Sequence, residues 1–220
     1  MKISEITNYL ESIAPVRLQE SYDNSGLLLG NKNNTINNAL ITLDVTEDVI
    51  DEAIKKKFGL IISHHPVIFH GVKKINGNTL TEKIIIKAIK NDIAVYCVHT
   101  NLDNIEKGVN SILCKKIGLK QCRILKPKND LLKKLITFCP SSHADEVRNA
   151  IFESGAGHIG NYDCCSFNTE GQGTFRALEN ANPYVGKHNE THFEAEIKIE
   201  VIYPVYFEQN IINAKTSTPI

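Results

Sequence analysis

Apolar positions in the first 120 residues follow two alternating periods. Ile6, Tyr9, Leu10 and Ile13 are spaced for one helical face. Tyr22-Asp23-Asn24-Ser25-Gly26 then breaks the pattern ahead of Leu27-Leu28-Leu29, which predicts a helix, a turn and a short strand. Ala39 to Val45 reads as a buried strand. Thr46 follows as an N-cap, Glu47 and Asp48 fill the first helical turn, and the helix runs to about Lys57 before Gly59. Leu60 to Ser63 supplies the next strand. After the loop around Asn76, Gly77 and Asn78, Thr81 opens a helix through Ile84, Ile85, Ala88 and Ile89, and Ile93 to Val98 forms a further strand. A last helix spans Val109 to Ile117 and stops at Gly118. Nearly continuous apolar strands joined by helical connections predict an α/β fold, a mostly parallel sheet with helices on both faces.

The texture changes from about Pro127. Leu131 to Cys139 reads as a strand, followed by a helix with Ser142 as N-cap, Asp145 at the capping-box position and Ala144, Val147, Ala150 and Ile151 on one face. Gly155 to Lys187 is rich in Gly and Asn. Glu194 to Tyr203 then alternates, with Ile197, Ile199, Val201 and Tyr203 on one side and Glu196, Lys198 and Glu200 on the other, as in an antiparallel strand with one wet face. Pro204 precedes a short helical signal through Phe207, Ile211 and Ile212. This order predicts a small α+β domain.

Composition narrows the function classes. The 220 residues carry 25 Lys+Arg against 25 Asp+Glu and are 42% hydrophobic, enough apolar material for one large core or two modest ones. With the isoelectric point near 7.1, the chain lacks the positive field that binding to a phosphate backbone needs, so no nucleic acid partner is expected. No apolar run reaches the roughly 18 to 20 residues that span a bilayer. The N-terminus is polar from the start, unlike a signal peptide, and the expectation is a cytoplasmic protein with no membrane partner. Cysteines occupy apolar settings (Cys97, Cys114, Cys139) or sit side by side (Cys164, Cys165), and none forms a C-x-x-C pair. That argues against a disulfide framework and a thiolate zinc site.

Two polar clusters remain, each after a predicted strand. Ser63-His64-His65-Pro66 follows one and His99-Thr100-Asn101-Leu102-Asp103 the next, so both fall on the carboxyl edge of the sheet, where open α/β folds place ligands. Adjacent imidazoles on extended backbone diverge, which favours two neighbouring metal ions over one, with a carboxylate such as Asp103 as a bridge. Imidazole and carboxylate without thiolate point to Zn, Fe, Mn or Co. Asp44 could support the metals from behind or simply end a strand, and Asp23 also sits at an element end. Gly155-Ala156-Gly157-His158-Ile159-Gly160 matches G-x-G-x-x-G but follows a helix instead of joining a strand to one, and His188 and His192 lie in a polar loop.

Together, Tyr22-Asp23-Asn24-Ser25-Gly26-Leu27, Leu43-Asp44-Val45-Thr46, Ser63-His64-His65-Pro66 and His99-Thr100-Asn101-Leu102-Asp103 resemble the dinuclear-metal family of GTP cyclohydrolase I type 2 homologues, the NIF-three-like proteins. Gly155 to Asp163 and Phe167-Asn168-Thr169-Glu170-Gly171 resemble the PII-like insert of its longer members. By this resemblance, residues 1–126 are the N-terminal part of the metal-binding α/β domain and residues 127–220 an incomplete PII-like, ferredoxin-like insert. His64, His65 and Asp103 match the family's N-terminal ligands for two divalent ions, and His99 matches the histidine beside them. Family members resume the main domain after the insert and add a G-H-x-x-x-E-like segment. The chain is therefore expected to be truncated inside the insert, with apolar surface uncovered and metal binding weakened. His158 is expected to pack within the insert.

The activity implied by resemblance is GTP cyclohydrolase I chemistry, opening of the guanine ring at C8 with loss of formate. In it Asp103 fixes the metal spacing and His99 moves protons or holds the leaving group. The partner is then a small molecule, GTP, and the assembly a homohexamer. Two alternatives stand beside it, a metallohydrolase of another substrate and a metal-binding regulatory or scaffold oligomer without turnover.

Overall fold

Cap chemistry and burial explain where the elements start and stop in the computed structural model, which describes residues 1–183 and 185–217. The chain divides into two compact units, Met1–Leu125 and Lys126–Ile220. In the first, α1 (Ile3–Ile13) buries Ile3 and Thr7 and packs the partly buried Ile6 and Leu10 of the predicted face against the same core, while Tyr9 and Ile13 of that face stay exposed. Thr46 caps α2 (Glu47–Lys56) as expected, its side chain accepting from the Val49 N–H at 3.3 Å. Helix α3 (Leu80–Lys90) starts earlier than predicted because Thr79, not Thr81, accepts from the Glu82 N–H.

Strands β1 (Gly26–Leu29), β2 (Ala39–Thr42), β3 (Leu60–Ser63) and β4 (Ala94–Cys97) form one sheet in the order β1-β4-β3-β2. The pairs β2/β3 and β3/β4 are parallel, and β1 is antiparallel to β4. The predicted buried strand from Ala39 to Val45 is instead a four-residue edge strand with Ile41 exposed, since only β3 pairs with it. Strand alternation divides the core between the two faces. Ile61 and Val95 pack with Ile50, Ala53, Ile84 and Ala88 of α2 and α3, whereas Leu60, Ala94 and Tyr96 pack with Ile3 and Ala14 at the two ends of α1. Past β4, the chain forms α4 (Thr100–Asp103) and α5 (Val109–Lys116), and α5 buries none of its residues.

In the second unit, β5 (Leu132–Pro140), β6 (Phe167–Arg176) and β7 (Thr191–Pro204) make an antiparallel sheet in the order β5-β7-β6. Ile199, Val201 and Tyr203 of β7 face a core with Val147 and Ile151 of α6 (Ala144–Glu153) and Ile211 of α7 (Glu208–Ser217). Ser142 does not cap α6. A 3-10 turn over Ser141–His143 intervenes, and Ser142 Oγ bonds its neighbour His143. Strand β6 escaped the sequence reading because its mostly exposed, glycine-interrupted residues carry no apolar alternation; pairing with β7 defines it. Among the described residues no helix is long and apolar enough to cross a membrane.

Candidate metal centre

Because β3 and β4 run parallel with Ser63 beside Cys97, the residues leaving both strands emerge at the same sheet edge. His64 and His65 leave β3, and His99 leaves β4. Their ring centroids lie 5.0, 5.3 and 5.6 Å apart. One ligand atom from each lies within 4.8 Å of the other two. The expected divergence of adjacent imidazoles does not occur. The chain bends at 64–65, Ser63 Oγ donates to the His65 carbonyl at 2.9 Å, and the two rings lie side by side, 5.0 Å between centroids and tilted by 50°.

Hydrogen bonding fixes how each ring is presented. His64 Nδ1 lies 2.9 Å from the Val98 carbonyl, His65 Nδ1 2.8 Å from Asp44 Oδ1, and His99 Nδ1 2.7 Å from Asp23 Oδ1. A carbonyl or carboxylate only accepts, so each Nδ1 is a donor, and in the neutral form of each ring Nε2 is the nitrogen with a lone pair to offer. This pattern of oriented imidazoles is what metal-binding histidines require of their surroundings. Three imidazole donors fit Zn, Fe, Mn or Co, and fit Mg or Ca poorly.

Asp23 has a side chain wholly shielded from solvent. Burial raises its pKa, but hydrogen bonds from the Thr100 hydroxyl, His99, and the Asn24 and Thr100 N–H groups outweigh this and hold the carboxyl down to about 2. It is charged wherever the protein is folded near neutral pH. The turn bearing His99 is anchored further by Asn101, fully buried, whose Nδ2 donates to the Ala14 carbonyl at 2.7 Å. Cys97, beneath the cluster, donates its thiol to the His64 carbonyl; burial, reinforced by the charge of Asp23, pushes that thiol up to about 12. It is therefore a neutral packing group rather than a thiolate ligand.

The structure brings together His64, His65 and His99 of the residues picked from sequence. Asp103 ends the short helix that His99 opens and is half-buried, and its carboxylate is not among the three mutually close donors. Asp44 stands behind His65, one of the two roles open to it. His158 is exposed in the second unit instead of packed, while His188 Nε2 meets the Ala181 carbonyl and His192 Nε2 meets Glu194. Asp23 as the partner of His99 was missed, as was Phe69, whose ring lies 6.3 Å from His99. An aspartate in a glycine-ended turn was the available hint for the first; Phe69 gave none.

The family model described as Duf34/NIF3 (NGG1p interacting factor 3) matches residues 1–197. Curated relatives called GTP cyclohydrolase 1 type 2 homolog include one from Halalkalibacterium halodurans, 44% identical over 206 residues and 92% of this chain. Another, from Bacillus subtilis, is 41% identical over 211 residues and 96% of this chain. The chain spans 55% and 57% of the length of these two relatives. A solved structure, the Bacillus cereus protein related to NIF3, superposes with a TM-score of 0.79 at 40% identity, covering 99% of this chain and 58% of its own.

Proposed function

The chain belongs to the Duf34/NIF3 family, and from that premise we propose that its first unit carries the divalent-metal centre of a hydrolase-type enzyme that opens the guanine ring of GTP. The observation that carries the reading is the convergence of three imidazoles whose Nδ1 atoms are all tied to acceptors. The substrate comes from the name its relatives bear. A divalent ion held here would lower the pKa of water toward neutrality and so supply a nucleophile at pH 7.

His64 and His65 would hold the metal and Asp103 would add a carboxylate ligand, with two divalent ions expected at the site. His99 is kept in one tautomer and one orientation by Asp23, so its Nε2 takes up or returns a proton at the reacting centre. The second unit corresponds to the PII-like insert; its three-stranded antiparallel sheet covered by α6 and α7 supports this. A homohexamer in the cytoplasm completes the proposal.

Two measurements test it. Metal content of the chain after loading with Zn, Mn or Fe and gel filtration is expected to fall in His64→Ala and His65→Ala. Formate release from GTP is expected from metal-loaded protein and from the Bacillus subtilis relative prepared in the same way, and to be lost in Asp103→Ala. Retained metal with no formate from either protein would replace the hydrolase reading with the scaffold one.

A further inference from the structure

The segment between β3 and α3 encloses an open groove of about 640 Å3, within the size range that takes a small-molecule ligand. Phe69 lines this groove and also faces the imidazole cluster, with its ring 6.3 Å from that of His99 at an interplanar angle of 86°. On its other sides Phe69 meets His70 at 4.9 Å and Tyr22 at 6.4 Å. Tyr22 and Phe69 are 64% and 38% exposed, so aromatic surface stands open where groove and cluster join. Asn24 Nδ2 donates to the Ile68 carbonyl at 2.6 Å, pinning the groove wall to the turn that carries Asp23.

Charge in the groove is lopsided. Lys73 and Lys74 line it, both exposed, and neither has an ion-pair partner among the described residues. Its one carboxylate, Glu82, is already committed to the loop, accepting from the Asn76 and Asn78 N–H groups at 3.2 and 2.9 Å. A molecule reacting at the imidazoles and extending past Phe69 thus meets an aromatic face first and two ammonium groups next. That sequence of surfaces complements a planar heterocycle with a phosphate tail.

We infer that the groove is the phosphate subsite of the substrate pocket, with Lys73 and Lys74 as counter-charges and Phe69 and Tyr22 as the stacking wall for the ring. The inference rests on the cluster being the reacting centre. It adds where the phosphate tail of that substrate is held, and that Lys73 and Lys74 determine specificity for it.

Calorimetric titration of the zinc-loaded 220-residue chain with GTP, guanosine and inorganic triphosphate tests it. GTP is expected to bind more tightly than guanosine and to weaken as salt rises. The Lys73→Ala/Lys74→Ala double variant is expected to bind GTP about tenfold or more weakly, to lose triphosphate, and to keep its guanosine affinity and zinc content. Lys73→Arg/Lys74→Arg should restore GTP, and Lys115→Ala/Lys116→Ala, which removes the same charge from α5, should leave it unchanged. Equal GTP affinity in the double variant and the wild type overturns the inference, as does absence of GTP binding by the wild type up to about 1 mM. Lysine-dependent GTP binding without formate release upholds the groove and removes the hydrolase reading instead.

Discussion

Replacing Asp23 by Asn is the sharpest perturbation the site offers, because it removes one charge while nearly preserving shape. The carboxylate accepts from His99 Nδ1, the Thr100 N–H and hydroxyl, and the Asn24 N–H. An amide has one acceptor oxygen and turns two N–H donors toward groups that also donate. A carboxyl moved from 3.8 to about 2 is favoured in its charged form by about 2.5 kcal/mol, at roughly 1.4 kcal/mol per pH unit. His99 keeps a 19% exposed ring beside it, so water reaches the pair and screening reduces the expected loss to roughly 1–2 kcal/mol. The sign follows from the lowered value: stability from this carboxylate is fully present above pH 3.8 and disappears as pH falls through about 2. Urea unfolding of wild type and Asp23→Asn across this range is the assay. The variant should be less stable at pH 7 by that amount, and the two curves should converge between pH 3.8 and about 2. A difference that stays constant down to the acid end would refute the electrostatic account and leave only a packing defect.

Asp44→Ala should leave stability within about 0.5 kcal/mol, since the side chain is 57% exposed, yet weaken zinc binding about tenfold in a competition titration because His65 loses its orienting partner. Gly30→Ala should cost roughly 2–4 kcal/mol in urea denaturation: φ is +97° and the new Cβ would lie 2.6 Å from Ala94 Cβ and 2.7 Å from its Cα. Thr46→Ala removes the α2 cap and should lower stability by about 1 kcal/mol without changing metal content. In the native protein the exposed Cys164 should react rapidly with a chromogenic disulfide at pH 8, whereas buried Cys97, its thiol pushed up to about 12, should react only after unfolding.

The elements that were legible in the sequence are those whose signals are local. Thr46 followed by two acids announced α2, the short apolar runs announced β3 and β4, and the alternation from Ile197 to Tyr203 announced the inner face of β7. Edge position and pairing were not legible, since both depend on neighbours distant in sequence. Ile41 looks as apolar as Ile61 along the chain, but one lies on an edge strand and the other inside the sheet. Strand β6 has almost no apolar pattern of its own and exists through its ladder with β7.

The candidate site divides along the same line. By itself the sequence determined that His64, His65 and His99 follow two strands and share one sheet edge, because strand period and topology fix where a chain leaves a parallel sheet. Tertiary structure decided that the three rings lie together with each Nδ1 tied to an acceptor. That choice is made by Val98, Asp44 and Asp23, which lie 34, 21 and 76 residues from the histidines they hold. A hydrogen bond across such a separation leaves no period in the sequence. It forms only after the core has brought the strand ends together.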